Sequence, residues 1–252
     1  MLNFLGLEKN GHALVVGARS GLGEAFCKLW LELDPSLTIV ATSRDAAWAE
    51  QSGGNERIDR AFMDITKEAS VAALSEYLKQ KSIQPCIVLN CSGALHGESY
   101  GPERTWRELE FETMKKVFEV NTFGVGLMIR YLLPLMPREK RSLFLSCSAR
   151  VGSISDNRLG GWYSYRASKA AQNMLIKTAS IEAKRLRKHL VCAAIHPGTV
   201  DTALSAPFTR RTPPQKLFSP EYSSEKLTDV MGRLSPSDTG GFFAWDGQKI
   251  EW

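Results

Sequence analysis

Two residues four positions apart, Tyr165 and Lys169, have the spacing of neighbours on one face of a helix. A free tyrosine, with a pKa of about 10, is a poor proton donor near neutrality. A lysine ammonium one turn away favours the phenolate and lowers that pKa. The pair could therefore give a proton to an oxygen atom on which negative charge develops. The nearby Tyr163 has Ala167 at the corresponding position and lacks such a partner.

A glycine-rich segment earlier in the chain has the composition of a phosphate-binding loop. It reads GARSGLG and places Gly17, Gly21 and Gly23 in a G-x-x-x-G-x-G arrangement. Glycine lets the backbone turn sharply and approach a pyrophosphate, while the N–H groups and dipole of a following helix attract negative charge. The chain carries 32 Lys and Arg against 27 Asp and Glu, and its net charge of +5 is compatible with an anionic cofactor.

Short apolar runs alternate with segments of helical period and predict the scaffold for these residues. Such alternation is typical of strand-helix-strand units, so we expect one α/β domain over residues 1–252, a Rossmann-type doubly wound parallel sheet with helices on both faces. The predicted strands are His12–Gly17, Leu37–Ser43, Arg60–Asp64, Cys86–Asn90, Ser142–Ser146, Leu190–His196 and Phe242–Trp245. The predicted helices are Gly21–Leu33, Ala69–Gln80, Glu112–Leu135, Ser164–Arg187 and Ser223–Gly232.

Two segments show little regular pattern. The stretch between the second strand and Gly54 is poor in helical pattern. Pro, Ser, Thr and Arg dominate Ser205–Pro220, which is therefore predicted to be a mobile loop.

Composition excludes several classes of protein. With 43% hydrophobic and 23% charged residues, the chain is not disordered, collagen-like or a coiled coil. No run of about 18 apolar residues and no signal sequence occurs, so we expect a cytoplasmic protein without a membrane segment. Five cysteines without a C-x-x-C pair indicate reduced thiols, and no residues have the spacing of a metal site. Short basic runs without stacking aromatics argue against nucleic-acid binding.

Five motifs follow one another along the chain. After GARSGLG come NCSG at Asn90–Gly93, VNTFG at Val120–Gly124, YRASK at Tyr165–Lys169 and PGTVDT at Pro197–Thr202. In this order and spacing the chain resembles the short-chain dehydrogenase/reductase family over residues 12 to 202. More narrowly, the segments GSI at Gly152–Ile154, YSYRASKAA at Tyr163–Ala171 and GGFFAWDG at Gly240–Gly247 look like the sniffer-like and C-factor-like carbonyl reductase branch of that family. The resemblance implies hydride transfer between a nicotinamide cofactor and a small carbonyl substrate, in a homodimer or homotetramer assembled through the long helices.

The resemblance also implies how the cofactor is bound. Arg19 in the glycine loop and Arg44 after the second strand imply NADP(H), since two guanidinium groups can clamp one phosphate dianion. Asp45 could bind the ribose instead, although it lies past the expected position. Asp64 is implied to bind the adenine, or else it caps the next helix, a role that Thr66 could also fill. The implied cofactor-binding residues are Gly17, Arg19, Ser20, Gly21, Leu22, Gly23, Ser43, Arg44, Asp64, Ile65, Asn90, Gly93, Lys169, Pro197, Gly198, Val200 and Thr202.

The resemblance assigns four residues to catalysis. They are Tyr165 as the acid, Lys169 as the residue that lowers the tyrosine pKa and binds the ribose, Asn121 as the residue that holds a relay water, and Ser148 as a hydrogen-bond donor to the substrate oxygen. The serine departs from the family pattern, because alignment on Gly152 puts Ala149 where the family has a serine. Ser146 and Ser153 are alternatives to Ser148. One oxyanion donor contributes about 2.7–4 kcal/mol, so its loss would weaken catalysis without abolishing it.

The leading hypothesis is an NADPH-dependent oxidoreductase that interconverts an aldehyde or ketone and its alcohol. The alternative is an NAD(P)(H)-binding signalling or regulatory protein of C-factor type with incidental catalysis, against which the intact Tyr165 and Lys169 pair argues. Two loops, Leu95–Trp106 and Ser205–Pro220, are expected to line the substrate site, with His96 as a candidate. Their residues carry no pattern that names the substrate.

Overall fold

The computed structural model describes residues 5–51 and 54–252, and the elements named below lie within those ranges. The strands are β1 (His12–Val16), β2 (Thr38–Ser43), β3 (Ile58–Phe62), β4 (Pro85–Asn90), β5 (Ser142–Cys147), β6 (Leu190–His196), β7 (Thr199–Val200), β8 (Leu217–Phe218) and β9 (Phe242–Ala244). The α-helices are α1 (Gly21–Leu33), α2 (Ala46–Glu50), α3 (Glu68–Gln80), α4 (Phe111–Phe118), α5 (Gly124–Tyr131), α6 (Tyr163–Leu186) and α7 (Pro220–Arg233).

The main sheet has seven parallel strands in the order β3-β2-β1-β4-β5-β6-β9, and β7 pairs with β8 separately. The strand order reverses between β1 and β4, and ligands of such sheets bind at the crevice outside the carboxyl ends of the strands at this point. Val16 pairs with Asn90, and Asn90 pairs with Ser146, so β1, β4 and β5 end side by side. The predicted Rossmann-type doubly wound fold is confirmed.

Helices cover both faces of this sheet. On one face, α1 and α7 pack against the strands, and Phe26 and Trp30 of α1 are fully buried. On the other face, α3, α5 and α6 bury Leu78, Met128 and Ile176. Burial on both faces explains why the central strands are continuous apolar runs. Helices packed on both faces therefore fix the positions of the carboxyl ends of the strands.

Most predicted bounds agree with the structure to within about three residues, but the continuous helix Glu112–Leu135 is wrong. The structure has α4, a π-helical turn at Glu119–Phe123, α5, and a 3₁₀ turn at Leu133–Leu135. A π turn adds a residue to the helical ladder and is frequent at functional sites. Here Asn121 lies within the turn and is buried, which no helical period in the sequence indicates.

Two segments predicted to be irregular contain regular structure. Helix α2 forms in the stretch predicted to be poor in helix, because the Asp45 carboxylate accepts a hydrogen bond of 3.1 Å from its first turn. The predicted mobile loop Ser205–Pro220 holds two 3₁₀ helices, Ala206–Arg211 and Pro214–Lys216, as well as β8. The first segment departs from the prediction because a local cap stabilises a short helix, and the second because β8 pairs with β7, which local pattern does not report.

None of the helices in the described ranges is long and apolar enough to cross a membrane. Among the same residues there is no group of three or more His, Cys, Asp or Glu side chains that could hold a metal ion.

Candidate active site

The glycine loop between β1 and α1 has a shape that depends on glycine. Gly17 and Gly21 have positive φ angles of 79° and 58°, and a Cβ on Gly23 would lie 2.3 Å from the Gly17 carbonyl oxygen. The Gly17 N–H donates to the Thr42 carbonyl at 3.1 Å and ties the loop to β2. Ser20 precedes α1 without a side-chain hydrogen bond to its first turn. The N–H groups of that turn can therefore receive an anion such as a pyrophosphate.

The end of β2 brings polar and charged groups to this loop. The Arg19 guanidinium lies 2.6 Å from the Asp45 carboxylate, and Arg44 is exposed. Ser43 is buried, and its hydroxyl accepts the Asp45 N–H at 3.1 Å. The Thr42 hydroxyl is buried without a hydrogen-bond partner among residues 5–51 and 54–252. Such an orphaned group is costly unless a ligand or water satisfies it.

Asp64 follows β3 and forms a local turn. Its carboxylate accepts hydrogen bonds from the Thr66 N–H at 2.9 Å and from the Thr66 hydroxyl at 2.8 Å. The residue that precedes α3 is Lys67, so neither Asp64 nor Thr66 caps that helix and both capping alternatives are wrong. Ile65 is buried in contact with Gly124, where a Cβ would lie 2.5 Å from it. Adenine binding by Asp64 stays a prediction.

The loop after β4 brings three predicted site residues together. Asn90 is buried and bridges β4 to β5 through a hydrogen bond of 3.0 Å. The Asn121 amide accepts the Ala94 N–H and donates to the Ala94 carbonyl, both at 2.8 Å. A Cβ on Gly93 would lie 3.7 Å from Asn121 Oδ1 and 3.9 Å from Lys169 Nζ. Gly93, Asn121 and Lys169 therefore lie close together.

Tyr165 and Lys169 lie at the start of α6, and both are buried. Lys169 Nζ is 5.9 Å from the centre of the Tyr165 ring, and it donates to the Cys147 carbonyl at 2.8 Å and to Gln172 Oε1 at 2.9 Å. Burial, with a smaller contribution from Cys147, raises the pKa of Tyr165. Burial lowers the pKa of Lys169 to about 8. The predicted lowering of the tyrosine pKa is wrong for this structure, because desolvation dominates.

The candidate serines lie in different surroundings. Ser148 is buried, and its hydroxyl donates to Asn173 Oδ1 on α6 at 2.7 Å. The Ser146 hydroxyl accepts amide hydrogen bonds at 3.0 Å, and the Ser153 hydroxyl accepts the Asp156 N–H at 3.2 Å. Ala149 packs into the apolar cluster around the tyrosine. Donation from Ser148 to a substrate oxygen stays a prediction.

Gln172 is a polar residue of the site that sequence reasoning missed. It is fully buried, and its amide donates to the Ser146 hydroxyl at 3.0 Å and to the Cys147 carbonyl at 3.1 Å. Together with Asn90 it forms a polar chain from β4 across β5 to Lys169. The available signal is an amide three positions after the lysine, on a neighbouring part of the helix surface. That spacing alone does not identify a site residue.

The turn after β6 lies against the glycine loop. Gly198 has a φ of 80°, and the Pro197 carbonyl accepts a hydrogen bond of 2.8 Å from α7. Val200 is buried in β7, where it pairs with β8. A Cβ on Gly21 would lie 3.1 Å from the Thr202 methyl group, so Thr202 reaches the loop. The turn thereby closes one side of the crevice.

The predicted site residues thus surround the carboxyl edge of the sheet. The glycine loop follows β1, Arg44 follows β2, Ser148 follows β5 and Pro197 follows β6. Leu22 differs, because its side chain packs against the hydrophobic core. Leu22 can therefore contact a ligand through its backbone.

A model of the short chain dehydrogenase family matches residues 11–212 of the chain. The chain belongs to this family. 1-Hydroxy-2-glutathionyl-2-methyl-3-butene dehydrogenase of Rhodococcus sp. (strain AD45) is 28% identical over 190 residues, which cover 75% of this chain and 78% of that protein. C-signal of Myxococcus xanthus is 27% identical over 145 residues, which cover 58% of this chain and 82% of that protein.

Solved structures of similar chains confirm the fold. The NADPH-bound carbonyl reductase from chicken fatty liver has a TM-score of 0.83 at 23% identity, over 100% of this chain and 99% of that chain. Carbonyl reductase Sniffer of D. melanogaster has a TM-score of 0.83 at 21% identity, over 97% of this chain and 100% of that chain. These matches, with C-signal, agree with the predicted resemblance to the family and its sniffer-like and C-factor-like branch.

As a short-chain dehydrogenase, the chain is an oxidoreductase that binds a nicotinamide cofactor and acts on small molecules. The residues present fit such a cofactor. The glycine loop leaves the first turn of α1 open, and the buried Thr42 hydroxyl lacks a partner within the described ranges.

The buried lysine gives this short-chain dehydrogenase a testable pH dependence. Burial lowers the pKa of Lys169 to about 8, and Tyr165 and Cys147 are the titratable groups beside it. The ammonium form stabilises a phenolate, so we expect turnover to fall as the pH rises through about 8. The measurement is kcat/KM as a function of pH, with initial rates followed by cofactor absorbance.

Two variants of Gln172 control this prediction. Gln172→Glu places a carboxylate where an amide oxygen lies 2.9 Å from Lys169 Nζ, so the alkaline limb should move to higher pH. Gln172→Leu removes that acceptor, so the limb should move to lower pH. A limb that stays in place in both variants would contradict its assignment to Lys169.

Proposed function

We propose that this chain is an NADPH-dependent carbonyl reductase that interconverts an aldehyde or ketone and the corresponding alcohol. The observation that carries the proposal is the buried pair of Tyr165 and Lys169, in which the tyrosine packs in an apolar cluster and the lysine lies close to Gly93 and Asn121. A proton donor with a cationic neighbour in a desolvated site suits the reduction of a carbonyl group.

Four groups of residues would hold NADP(H). The glycine loop and the first turn of α1 would receive the pyrophosphate, and Arg19 and Arg44 would receive the ribose phosphate. Lys169 would bind the nicotinamide ribose, and the turn Pro197–Thr202 would hold the nicotinamide amide. When bound, the cofactor supplies the hydride.

Residues of the chain itself donate and relay the proton. The raised pKa of Tyr165 keeps its hydroxyl protonated at neutral pH, ready to donate to the substrate oxygen. The Lys169 ammonium stabilises the phenolate that donation leaves behind. Asn121 holds the loop after β4 in place and is the proposed site of a relay water to Lys169. Leu95 and Val117, both buried beside the tyrosine, exclude bulk water.

The direct test measures oxidation of NADPH and of NADH in the presence of aldehydes, ketones and quinones. We expect turnover that is faster with NADPH and that depends on the Tyr165 hydroxyl. Tight NADPH binding without turnover of any of these carbonyls would contradict the proposal.

Arg44 gives a separate test of cofactor choice. Replacing it by Ala should weaken NADPH binding by about tenfold to a hundredfold and leave NADH binding unchanged, because one charge-assisted hydrogen bond is lost. Asp45→Asn should act oppositely, since it removes a negative charge 2.6 Å from Arg19. Arg130→Ala, an exposed arginine on α5, is the control. Fluorescence titration gives the dissociation constants of NADPH and NADH for each variant. Equal losses of affinity for both cofactors in Arg44→Ala would refute phosphate binding by Arg44.

The match to C-signal favours a second candidate function, an NAD(P)(H)-binding signalling or regulatory protein. The buried Tyr165 and Lys169 argue against this reading, because a protein that only binds a cofactor does not need a desolvated ammonium beside a proton donor. The same panel of carbonyls separates the two candidates.

Assembly through the long helices as a homodimer or homotetramer stays a prediction, as do the single domain and the cytoplasmic location. Met174 and Ile181 of α6 are 65% and 54% exposed, and their apolar side chains support such an assembly. Light scattering tests it.

A further inference from the structure

The surroundings of Tyr165 are apolar. Its ring packs in a cluster with the buried Leu95 and Val117 and with the half-buried Trp162 and Phe208. A carbonyl oxygen within hydrogen-bonding reach of the tyrosine hydroxyl would place the rest of its molecule within a few ångströms of these side chains. The substituent beside the carbonyl is therefore expected to be apolar.

Aromatic rings form a continuous row on this side of the site. The Trp162 ring lies 6.1 Å from the Tyr165 ring and 5.3 Å from the Phe208 ring, between ring centres, and both pairs are edge-to-face. The His96 ring continues the row, 5.6 Å from Phe208, and its Nε2 is 3.1 Å from the Ala203 carbonyl oxygen. The row joins the loop after β4 to the segment after β7 and to the start of α6.

The backbone holds Trp162 in a conformation that suits glycine. Gly160, Gly161 and Trp162 have successive φ angles of 65°, 65° and 52°, and the left-handed region is unfavourable for a bulky side chain. The Trp162 N–H donates to the Glu103 carbonyl, and the Arg166 guanidinium donates to the Gly161 carbonyl at 2.9 Å. These contacts hold the turn, and strain of this kind concentrates at functional sites.

We propose that Trp162, together with Phe208, is the specificity-determining wall of the carbonyl site and selects a substrate with a flat aromatic ring beside its carbonyl. An aryl aldehyde or aryl ketone could pack its ring against this wall. Its binding free energy would then be more favourable than its buried area alone provides. A saturated ring of equal size is puckered and gains less. This inference rests on the proposed carbonyl reductase function and names its substrate class.

The test uses two aldehydes of matched size, benzaldehyde and cyclohexanecarbaldehyde, with NADPH. The measured quantity is kcat/KM for benzaldehyde divided by kcat/KM for cyclohexanecarbaldehyde. The difference in intrinsic reactivity between the two aldehydes cancels when this ratio is compared between variants. Trp162→Gly should lower the ratio by about tenfold, the equivalent of about 1.4 kcal/mol, mainly through a higher KM for benzaldehyde. Glycine suits the left-handed turn, so the backbone of this variant is not strained.

Two further variants test whether the change in the ratio comes from the aromatic wall. Phe208→Leu keeps an apolar side chain but removes a flat ring, and it should lower the ratio in the same direction. Phe111→Leu is the matched control, because Phe111 is 77% exposed at the start of α4 and lies outside both loops expected to line the substrate site, and it should leave the ratio unchanged.

The outcomes separate this inference from the proposed function. Reduction of both aldehydes that Tyr165→Phe abolishes, with a ratio that neither Trp162→Gly nor Phe208→Leu moves, would overturn the aromatic wall and leave the carbonyl reductase standing. Absence of reduction of either aldehyde by the unmodified chain would overturn both.

Discussion

Replacing Tyr165 by Phe should lower the rate of carbonyl reduction by about 10²–10⁴-fold, the range that general acid catalysis contributes. The substitution removes the hydroxyl and keeps the ring, which packs among Leu95, Val117 and Trp162. The apolar cluster is therefore preserved, and Lys169 keeps its hydrogen bonds to Cys147 and Gln172. The loss should fall on kcat, while the NADPH dissociation constant stays the same.

Tyr163 provides the matched control for this experiment. It lies two residues earlier in α6, and its partner one turn later is Ala167. Tyr163→Phe should retain activity within about twofold, since it removes a hydroxyl without a cationic neighbour. Equal losses in both variants would indicate damage to α6, and full activity of Tyr165→Phe would remove the tyrosine from the mechanism.

Replacing Gly23 by Ala should weaken NADPH binding by about tenfold or more. The new methyl group would lie 2.3 Å from the Gly17 carbonyl oxygen and 2.9 Å from the Gly17 carbonyl carbon. These are backbone atoms that cannot rotate away, so the loop itself must shift, at a cost of about 1–3 kcal/mol. A shifted loop misaligns the N–H groups at the start of α1 that are proposed to bind the pyrophosphate.

Gly126 on α5 controls for the substitution. A Cβ at Gly126 would meet its nearest neighbour, Leu175 Cδ1, at 3.8 Å, an ordinary contact. Gly126→Ala should bind NADPH normally and gain about 0.5–1 kcal/mol of stability, because alanine favours the helix interior. Fluorescence titration and thermal melting measure both quantities. Normal NADPH affinity in Gly23→Ala would contradict the proposed role of the loop.

The sequence by itself determined the features that depend on short-range pattern. Alternating apolar runs and helical periods predict the parallel sheet because both signals repeat within a few residues. The spacing of Gly17, Gly21 and Gly23 predicts a loop whose close contacts are between residues only six positions apart. The four-residue spacing of Tyr165 and Lys169 likewise suffices to put both near the start of one helix.

Only the tertiary structure decided the features that depend on contacts between distant segments. The raised pKa of Tyr165 follows from burial by the loop after β4, by α4 and by later loops, and a helical spacing cannot report that burial. Gln172 belongs to the site because β5 lies across from α6, and Asn121 is buried through a π turn against Ala94. The position of Ala149 beside the tyrosine and the left-handed Trp162 are likewise set by packing. Local pattern encodes the elements, whereas desolvation, hydrogen-bond partners and strain arise only when those elements meet.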